Sequence, residues 1–129
     1  MRVAWHDMKN SRTSILGVGI DIEEIGRFEN LPFRKNKAFY EKIFTQGEIS
    51  YCLTRSNPYQ HFAARFCAKE AAVKALGGKI KDLRKITIRK DPEGRPLLEA
   101  KSLPDVTLHT SFSHTKNHAI AFVIAYSNH

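Results

Sequence analysis

The chain has 129 residues, of which 42% are hydrophobic, enough for one compact domain with its own core and too few for two ordinary ones. Its longest apolar stretches, Ile15 to Ile20 and Ala119 to Tyr126, fall well short of the roughly 20 residues of a membrane-spanning helix, so we expect a soluble protein. The net charge of +8 predicts attraction to something anionic, whether nucleic acid, a phosphorylated small molecule or an acidic protein.

The cysteines and the first residues bear on where the protein works. Cys52 and Cys67 stand among apolar neighbours on predicted helices, and no CxxC or Cys/His cluster is present, so a reducing cytoplasm is expected rather than a disulfide framework. Residues 1–14 lack the continuous apolar middle of a secretion signal and are interpreted as a flexible N-terminal extension. The predicted domain is therefore 15–129.

The first part of the predicted domain combines a strand with short helices. Residues 15–21 alternate apolar with small or polar types, which is typical of a strand, and Asp21 stands at or just past its end. A short helix is expected over 22–31, because apolar residues recur at helical spacing before Pro32. Residues 37–44 predict another helix.

Two start signals precede the central helices. Thr45 and Glu48 have the spacing of a capping box, which predicts a helix from there to about Leu53. Asn57, a good N-cap, then opens the strongest helical pattern of the chain, over 58–76.

The last part predicts two hairpins. Residues 85–89 and 96–100 flank the turn sequence 91–94, and residues 106–112 and 118–126 flank the polar segment 113–117. The order of a strand, helices and then antiparallel strands predicts an α+β fold, a single domain with helices packed on a mainly antiparallel sheet.

Three side chains of the strongest helix share one face. Phe66, Glu70 and Lys74 are four residues apart and project in successive turns. One interpretation is a solvated ion pair worth about 0.3 to 0.5 kcal/mol. The other joins Glu70 to Asp21 as oxygen ligands of a hard cation such as Mg²⁺, with Lys74 one turn along to neutralise phosphate charge.

Two other segments also allow two interpretations. Asp21 could cap the helix that follows, with Glu23 and Glu24 as first-turn acids that complement the helix dipole. The segment 111–115 could be an ordinary surface loop, or a binding loop that presents hydroxyls and an imidazole. Residue by residue, the sequence leaves these alternatives open.

Four motifs, taken together and in order, narrow the alternatives. They are Gly19-Ile-Asp21 with Arg27, Arg65-Phe-Cys-Ala-Lys-Glu70-Ala-Ala-Val-Lys74-Ala, Gly94-Arg-Pro96, and Ser113-His-Thr115. With these motifs the chain resembles the holo-acyl-carrier-protein synthase family, the short type of 4'-phosphopantetheinyl transferase, over about 15–126. Cys67 departs from the family, where this position is commonly alanine.

The resemblance implies a reaction and the residues of its metal site. The reaction is transfer of 4'-phosphopantetheine from coenzyme A to a serine of an apo acyl carrier protein, with Mg²⁺ as cofactor and release of adenosine 3',5'-bisphosphate. Asp21 and Glu70 would be the metal ligands, and Lys74 would contact the transferring phosphate. Glu24 stands where the family often has another acid near the metal, and Glu23 is the alternative.

The resemblance also implies partners. His114 and Thr115 would line the coenzyme A site near its nucleotide phosphates, while Arg27 and Arg34 would face acidic residues of the carrier. Family members of this length look like trimers with active sites between subunits. We therefore expect a homotrimer, in which the two metal ligands could meet across an interface, and neither a nucleic-acid nor a membrane partner.

The implied chemistry is phosphoryl transfer, for which the protein supplies position and charge stabilisation. Glu70 is the candidate base, directly or through a metal-bound water. A rival from another class is a nucleic-acid-binding module, favoured by the basic balance and by Phe112 and Phe122 on strands, but without an RNA-binding aromatic motif or zinc spacing. A magnesium-dependent phosphohydrolase would share the metal site and use water as acceptor. The natural carrier, of fatty-acid or secondary-metabolite synthesis, stays open.

Overall fold

A computed structural model describes residues 13–128, so the predicted extension 1–14 lies almost wholly outside the described residues. Five strands form one antiparallel sheet: β1 Thr13–Glu24, β2 Thr87–Lys90, β3 Pro96–Glu99, β4 Val106–His114 and β5 His118–Asn128. The α-helices are α1 Ile25–Glu29, α2 Lys37–Ile43, α3 Gln46–Leu53 and α4 Pro58–Ala75, with 3₁₀ turns at Phe33–Lys35 and Leu83–Lys85. The strand order is β1-β5-β4-β3-β2. The predicted α+β fold, with helices on an antiparallel sheet, is confirmed.

The predicted N-terminal signals of the two central helices are largely confirmed. The Glu48 backbone N–H donates to Thr45 Oγ1 at 3.3 Å, and the Thr45 N–H donates to Glu48 Oε1 at 2.9 Å, so the capping box of α3 is complete. Helix α4 begins with Pro58 in its first turn, as expected, although the side chain of Asn57 makes no capping hydrogen bond. Both predicted hairpins form.

The prediction of a helix over 22–31 is wrong at its start, because β1 continues through Asp21 to Glu24. Ile22 pairs with Ile120 of β5, and Glu24 pairs with His118. The alternative role of Asp21 as a helix cap is also wrong: Glu24 occupies the N-cap position of α1, without a capping hydrogen bond, and the first turn of α1 contains no acid. Residues 22–24 are therefore a strand, because their backbone groups pair with β5, even though their apolar residues recur at helical spacing.

Helix α4 packs very closely on β1. A Cβ atom added at Gly19 would collide with the carbonyl oxygen of Ala71, and one added at Gly17 would collide with that of Ala75. Both alanines are buried. Because glycine allows the two backbones to touch, the side chains that follow on the same face of β1 meet the side chains of α4 directly.

The opposite face of the sheet is apolar and uncovered by other described residues. Its exposed side chains, between 40% and 61% accessible, are Val18, Ile20, Ile22, Ile120 and Phe122. Register pairs Ile20 with Phe122 and Ile22 with Ile120, so these residues form one continuous patch. Apolar patches of this kind mark interaction surfaces.

The cysteines are free and buried, as the sequence predicts. Burial raises the pKa of the Cys52 thiol to about 12 and also raises the pKa of Cys67. Neither thiol is therefore activated as a nucleophile. Among residues 13–128, no helix combines the length and the apolar character needed to cross a membrane.

Candidate active site

Asp21 and Glu23 lie on the face of β1 that α4 covers. Side chains alternate along a strand, so Ile22 and Glu24 project to the other face. Accordingly Asp21 and Glu23 are partly buried, whereas Ile22 and Glu24 are exposed. The structure thus places Glu23, the alternative, beside Asp21, and a role for Glu24 near a metal stays a prediction.

Asp21 is held by Lys74 through only one of its carboxylate oxygens. Lys74 Nζ donates to Asp21 Oδ1 at 3.2 Å and to the carbonyl oxygen of Ile20 at 2.8 Å. Asp21 Oδ2 is buried and has no hydrogen-bond partner among residues 13–128. A buried carboxylate oxygen without a donor is unfavourable. A cation bound at this point would remove that penalty.

Glu70 and Glu23 complete a cluster of three acids. Burial raises the pKa of Glu70, the negative charge of Asp21 raises it further, and Lys74 and Arg27 act in the opposite direction. Burial also raises the pKa of Glu23, to about 7, and the adjacent Asp21 carboxylate raises it further, against the effect of Arg27. The two predicted metal ligands therefore lie close to each other within one chain.

The residues present fit a partly hydrated Mg²⁺ better than a metal enclosed by protein. Among residues 13–128, no three Asp, Glu, His or Cys side chains are arranged to hold a metal ion by themselves. Mg²⁺ is usually bound by one or two carboxylates and takes its remaining ligands from water and substrate phosphates. Asp21, with its free Oδ2, and Glu70 match that ligand set.

Arg27 adjoins the acidic cluster. Its Nη1 donates to Glu23 Oε1 at 3.1 Å, and its guanidinium lies 5.1 Å from the ring centroid of Phe66 on α4. The Arg27 side chain is 48% exposed, so its other edge reaches solvent. Arg27 can therefore meet a partner from outside while it touches the site.

His114 and Thr115 lie where β4 turns into β5. His114 Nδ1 donates to the carbonyl oxygen of Thr115 at 3.1 Å, which leaves Nε2 to accept from the amide of Gln60 on α4 at 2.7 Å. The Thr115 hydroxyl accepts from the backbone N–H of His118 at 3.1 Å. These contacts fix the turn against the N-terminal end of α4.

The sheet register connects His114 with the acidic cluster. Glu23 pairs with Ala119 on β5, and Ala119 pairs with His114 on β4. Residues paired directly across strands share a face, and two strand spacings amount to about 10 Å. His114 and the acids therefore lie on the same face and at the same end of the sheet.

A group of cations next to His114 was not singled out from the sequence. The guanidinium of Arg65, a residue only 3% exposed, lies 4.4 Å from the ring centroid of Tyr51, and Lys90 Nζ lies 5.3 Å from the same ring. Both line a cavity of about 440 Å³. Burial lowers the pKa of His61, and the charges of Arg65, Arg55, Lys90 and His114 lower it further, which places each of these groups near His61. The sequence feature that could have indicated this group is Arg65 itself, a charged residue on the otherwise buried face of α4.

Arg34 lies at a second concavity, on the helical side of the molecule. A cavity of about 600 Å³ is lined by apolar side chains and by basic ones, which are Phe33, Leu53, Tyr59, Arg34, Lys35 and Lys37. The structure thus places Arg34 beside apolar surface and in a basic group. Arg27 is not among the residues that line this cavity.

Comparison with known proteins supports the family that the motifs suggest. The sequence model of the 4'-phosphopantetheinyl transferase superfamily matches residues 17–123. The chain is 40% identical over 111 residues to a holo-(acyl-carrier-protein) synthase of Thermodesulfovibrio yellowstonii, an overlap of 85% of this chain and 97% of that protein.

Two solved structures have the same fold and contain the coenzyme or part of it. The holo-(acyl-carrier-protein) synthase of Bacillus anthracis, in complex with CoA (3',5'-ADP), has a TM-score of 0.77 and 34% identity over 88% of this chain and 98% of that one. The Helicobacter pylori synthase in complex with coenzyme A has a TM-score of 0.74 and 31% identity over 84% of this chain and 98% of that one. The predicted enzyme class is confirmed, and the chain belongs to the 4'-phosphopantetheinyl transferase superfamily.

Proposed function

We propose that this protein transfers 4'-phosphopantetheine from coenzyme A to a serine of an apo acyl carrier protein, with Mg²⁺ as cofactor, and releases adenosine 3',5'-bisphosphate. The observation that carries the proposal is the buried Oδ2 of Asp21, beside Glu70 and Lys74, to which no donor of the described part of the chain is bonded. Relatives with this activity in their names support it. A cytoplasmic location accompanies the proposal, because both cysteines are free, as is usual for proteins of a reducing compartment.

The acidic cluster provides the metal ligands and orients the pyrophosphate. Asp21 and Glu70 would hold Mg²⁺, which when bound supplies electrostatic stabilisation of charge on the phosphate oxygens. Lys74 is anchored by Asp21 and by the Ile20 carbonyl, yet 54% of its side chain is exposed. Its ammonium can therefore contact a phosphate oxygen without leaving these partners.

Glu70 is the residue that we assign to accept the proton of the carrier serine. It makes no side-chain hydrogen bond to residues 13–128, so its acceptor capacity is free, whereas Asp21 is bound by Lys74 and Glu23 by Arg27. The serine oxygen attacks the phosphorus nearer pantetheine, and the bond from that phosphorus to the bridging oxygen breaks. If Glu70→Ala regained its full rate at saturating Mg²⁺, the base assignment would be wrong.

The cations beyond His114 suit the nucleotide end of coenzyme A. Gln60, which contacts His114, precedes Glu70 by about 15 Å along the axis of α4. Arg65 stands midway between Gln60 and Glu70 on α4, and its guanidinium and Lys90 Nζ both approach the ring of Tyr51. A ligand with a pyrophosphate at one end and a further phosphate at the other would meet opposite charge at both ends.

Docking of the carrier is assigned to Arg27 and Arg34. Arg34 belongs to a basic rim around the apolar floor formed by Phe33, Leu53 and Tyr59. An acidic amphipathic helix would match that combination. Because the attraction is electrostatic, added salt should raise the apparent KM for the carrier.

The exposed sheet face supports self-association, for which the family resemblance implies a homotrimer with active sites between subunits. Ile20, Ile22 and Phe122 form an apolar surface for which a second copy of the chain is our proposed partner. Light scattering coupled to size exclusion should give three times the chain mass for the wild type. The Phe122→Asp variant should give a smaller species, and a monomeric wild type would contradict the proposal.

The decisive experiment combines the protein with coenzyme A, Mg²⁺ and an apo acyl carrier protein, and weighs the carrier by mass spectrometry. A gain of about 340 Da, the mass of one phosphopantetheine, is expected from metal-assisted transfer. The gain should be lost with EDTA, with Asp21→Ala and with Glu70→Ala. Hydrolysis of coenzyme A with no carrier present would instead favour a phosphohydrolase. Failure with several carriers would overturn the proposal.

A further inference from the structure

Arg27 contacts both the acidic cluster and the solvent. One edge of its guanidinium holds Glu23 at 3.1 Å, while its plane lies 5.1 Å from the ring centroid of Phe66 and 5.8 Å from that of Phe28. The Arg27 side chain is 48% exposed and that of Glu23 is 18% exposed. An acidic partner that approaches from solvent therefore reaches Arg27 before it can reach Glu23.

Glu23 stands between this arginine and the metal ligands. It follows Asp21 on the same face of β1, and the two lie one pleat apart. While Arg27 is paired with Glu23, it offsets the charge of that carboxylate. If the guanidinium is shared with another anion, it offsets less of the charge that an ionised Glu23 carries beside Asp21 and Glu70.

We propose that the Glu23–Arg27 ion pair couples the docking of an acidic carrier to cation binding at Asp21 and Glu70, an inference that rests on the proposed function. A carrier carboxylate binds the outer edge of Arg27 and competes with Glu23 for its charge. The carboxylate cluster then binds a divalent cation more tightly. Since binding free energies are linked, the cation strengthens carrier binding by the same factor.

The other ion pair of the site is less suited to this role. Lys74 donates to the carbonyl oxygen of Ile20 as well as to Asp21, and both acceptors belong to β1. A partner that draws Lys74 outward would have to break both contacts. Arg27 has one hydrogen bond to the cluster, and its aromatic packing keeps it in place while that bond is shared.

The test uses Mn²⁺ as the probe and a carrier whose acceptor serine is replaced by alanine, so that no turnover occurs. The Mn²⁺ affinity is measured by electron paramagnetic resonance with and without the carrier, and the carrier's own Mn²⁺ binding, common to all samples, is subtracted. In the wild type, the carrier should tighten Mn²⁺ binding about fivefold or more, the lower range of typical couplings. In Glu23→Gln, the factor should fall to nearly one.

The matched control is Glu29→Gln, which removes the same charge from an exposed position of α1, two residues after Arg27, and should keep the wild-type coupling. A second variant needs no carrier: Arg27→Gln leaves Glu23 free and should bind Mn²⁺ more tightly than the wild type, whereas Glu23→Gln should bind it less tightly. Equal coupling in Glu23→Gln and wild type, no coupling in wild type, or the reverse order of affinities would overturn the inference.

The outcome is separable from that of the proposed function. If the mass measurement shows transfer to the intact carrier while the coupling is unaffected by Glu23→Gln, this inference alone fails. If no carrier is modified, the proposed function fails, and the coupling loses its basis with it.

Discussion

Two lysines of α4 form ion pairs that differ in how completely their partners are satisfied. Lys69 is fully buried, and its Nζ donates to Glu48 Oε1 at 2.6 Å and to the carbonyl oxygens of Ile43 at 2.9 Å and Leu83 at 3.0 Å. Glu48 Oε2 in turn accepts from the backbone N–H of Ile88 at 2.8 Å. All three ammonium protons and both carboxylate oxygens are used.

Lys74, five positions further along the helix, makes the opposite kind of pair. It is half exposed, and Asp21 keeps a buried oxygen that no donor among the described residues reaches. An ion pair whose donors and acceptors all have partners can only hold elements together. An ion pair that keeps a free acceptor can still bind a ligand. The first pair should therefore control stability, and the second should control activity.

The largest expected effect is loss of activity when Asp21 is replaced by asparagine. Metal-derived charge stabilisation amounts to several kcal/mol, so kcat/KM for the carrier should fall about 10³-fold. The free energy of unfolding should change by less than about 1 kcal/mol, because the pair with half-exposed Lys74 contributes little. Steady-state kinetics measures the loss of activity, and urea unfolding measures the change in stability. A strongly destabilised variant would contradict the proposed difference between the two ion pairs.

The next effect is loss of stability when Lys69 is replaced by methionine. Glu48 would remain as a buried carboxylate without its cation, which is expected to lower the free energy of unfolding by about 3 to 5 kcal/mol. Adding Glu48→Gln should recover part of that loss, because the charge itself is then removed. Chemical denaturation of the single and double variants measures this, and a double variant less stable than Lys69→Met would contradict the explanation.

A smaller effect is expected from Gly19→Ala, which acts on the position of Asp21. The added Cβ would meet the carbonyl oxygen of Ala71 and push β1 away from α4, at a cost of about 1 to 3 kcal/mol. Activity should fall more than the stability loss explains, since Asp21 moves relative to Glu70. Gly47→Ala is the control, because a Cβ at that exposed position meets no atom within 4 Å.

The smallest effect is expected from Thr45→Ala, which removes one half of the capping box. Helix α3 loses the acceptor for the Glu48 backbone N–H, and the stability should fall by about 1 kcal/mol. The carboxylate of Glu48 keeps Lys69 and Ile88, so kcat/KM should be unchanged. A large loss of activity in Thr45→Ala would show that the pair of Lys69 and Glu48 serves catalysis as well as stability.

Much of the candidate site was accessible from the sequence because its residues carry recognisable spacing. Phe66, Glu70 and Lys74 share a helix face by their period, whereas Asp21 was assigned to the same site only through the family resemblance that Gly19-Ile-Asp21 helps to carry. Pairs such as Lys69 with Glu48, or Arg65 with Lys90, were not accessible. Their members come from different elements, and no periodicity of the chain links them.

By itself the sequence determined the local elements: the capping box at Thr45, the helix that begins at Pro58, and both hairpins. These depend on neighbours within a few residues, which the chain order specifies. Only the tertiary structure decided that β1 runs on to Glu24, and hence that Glu23 faces Asp21. Strand pairing with β5 imposes a period of two on this segment, and that period, rather than the local helical spacing, assigns each acid to its face.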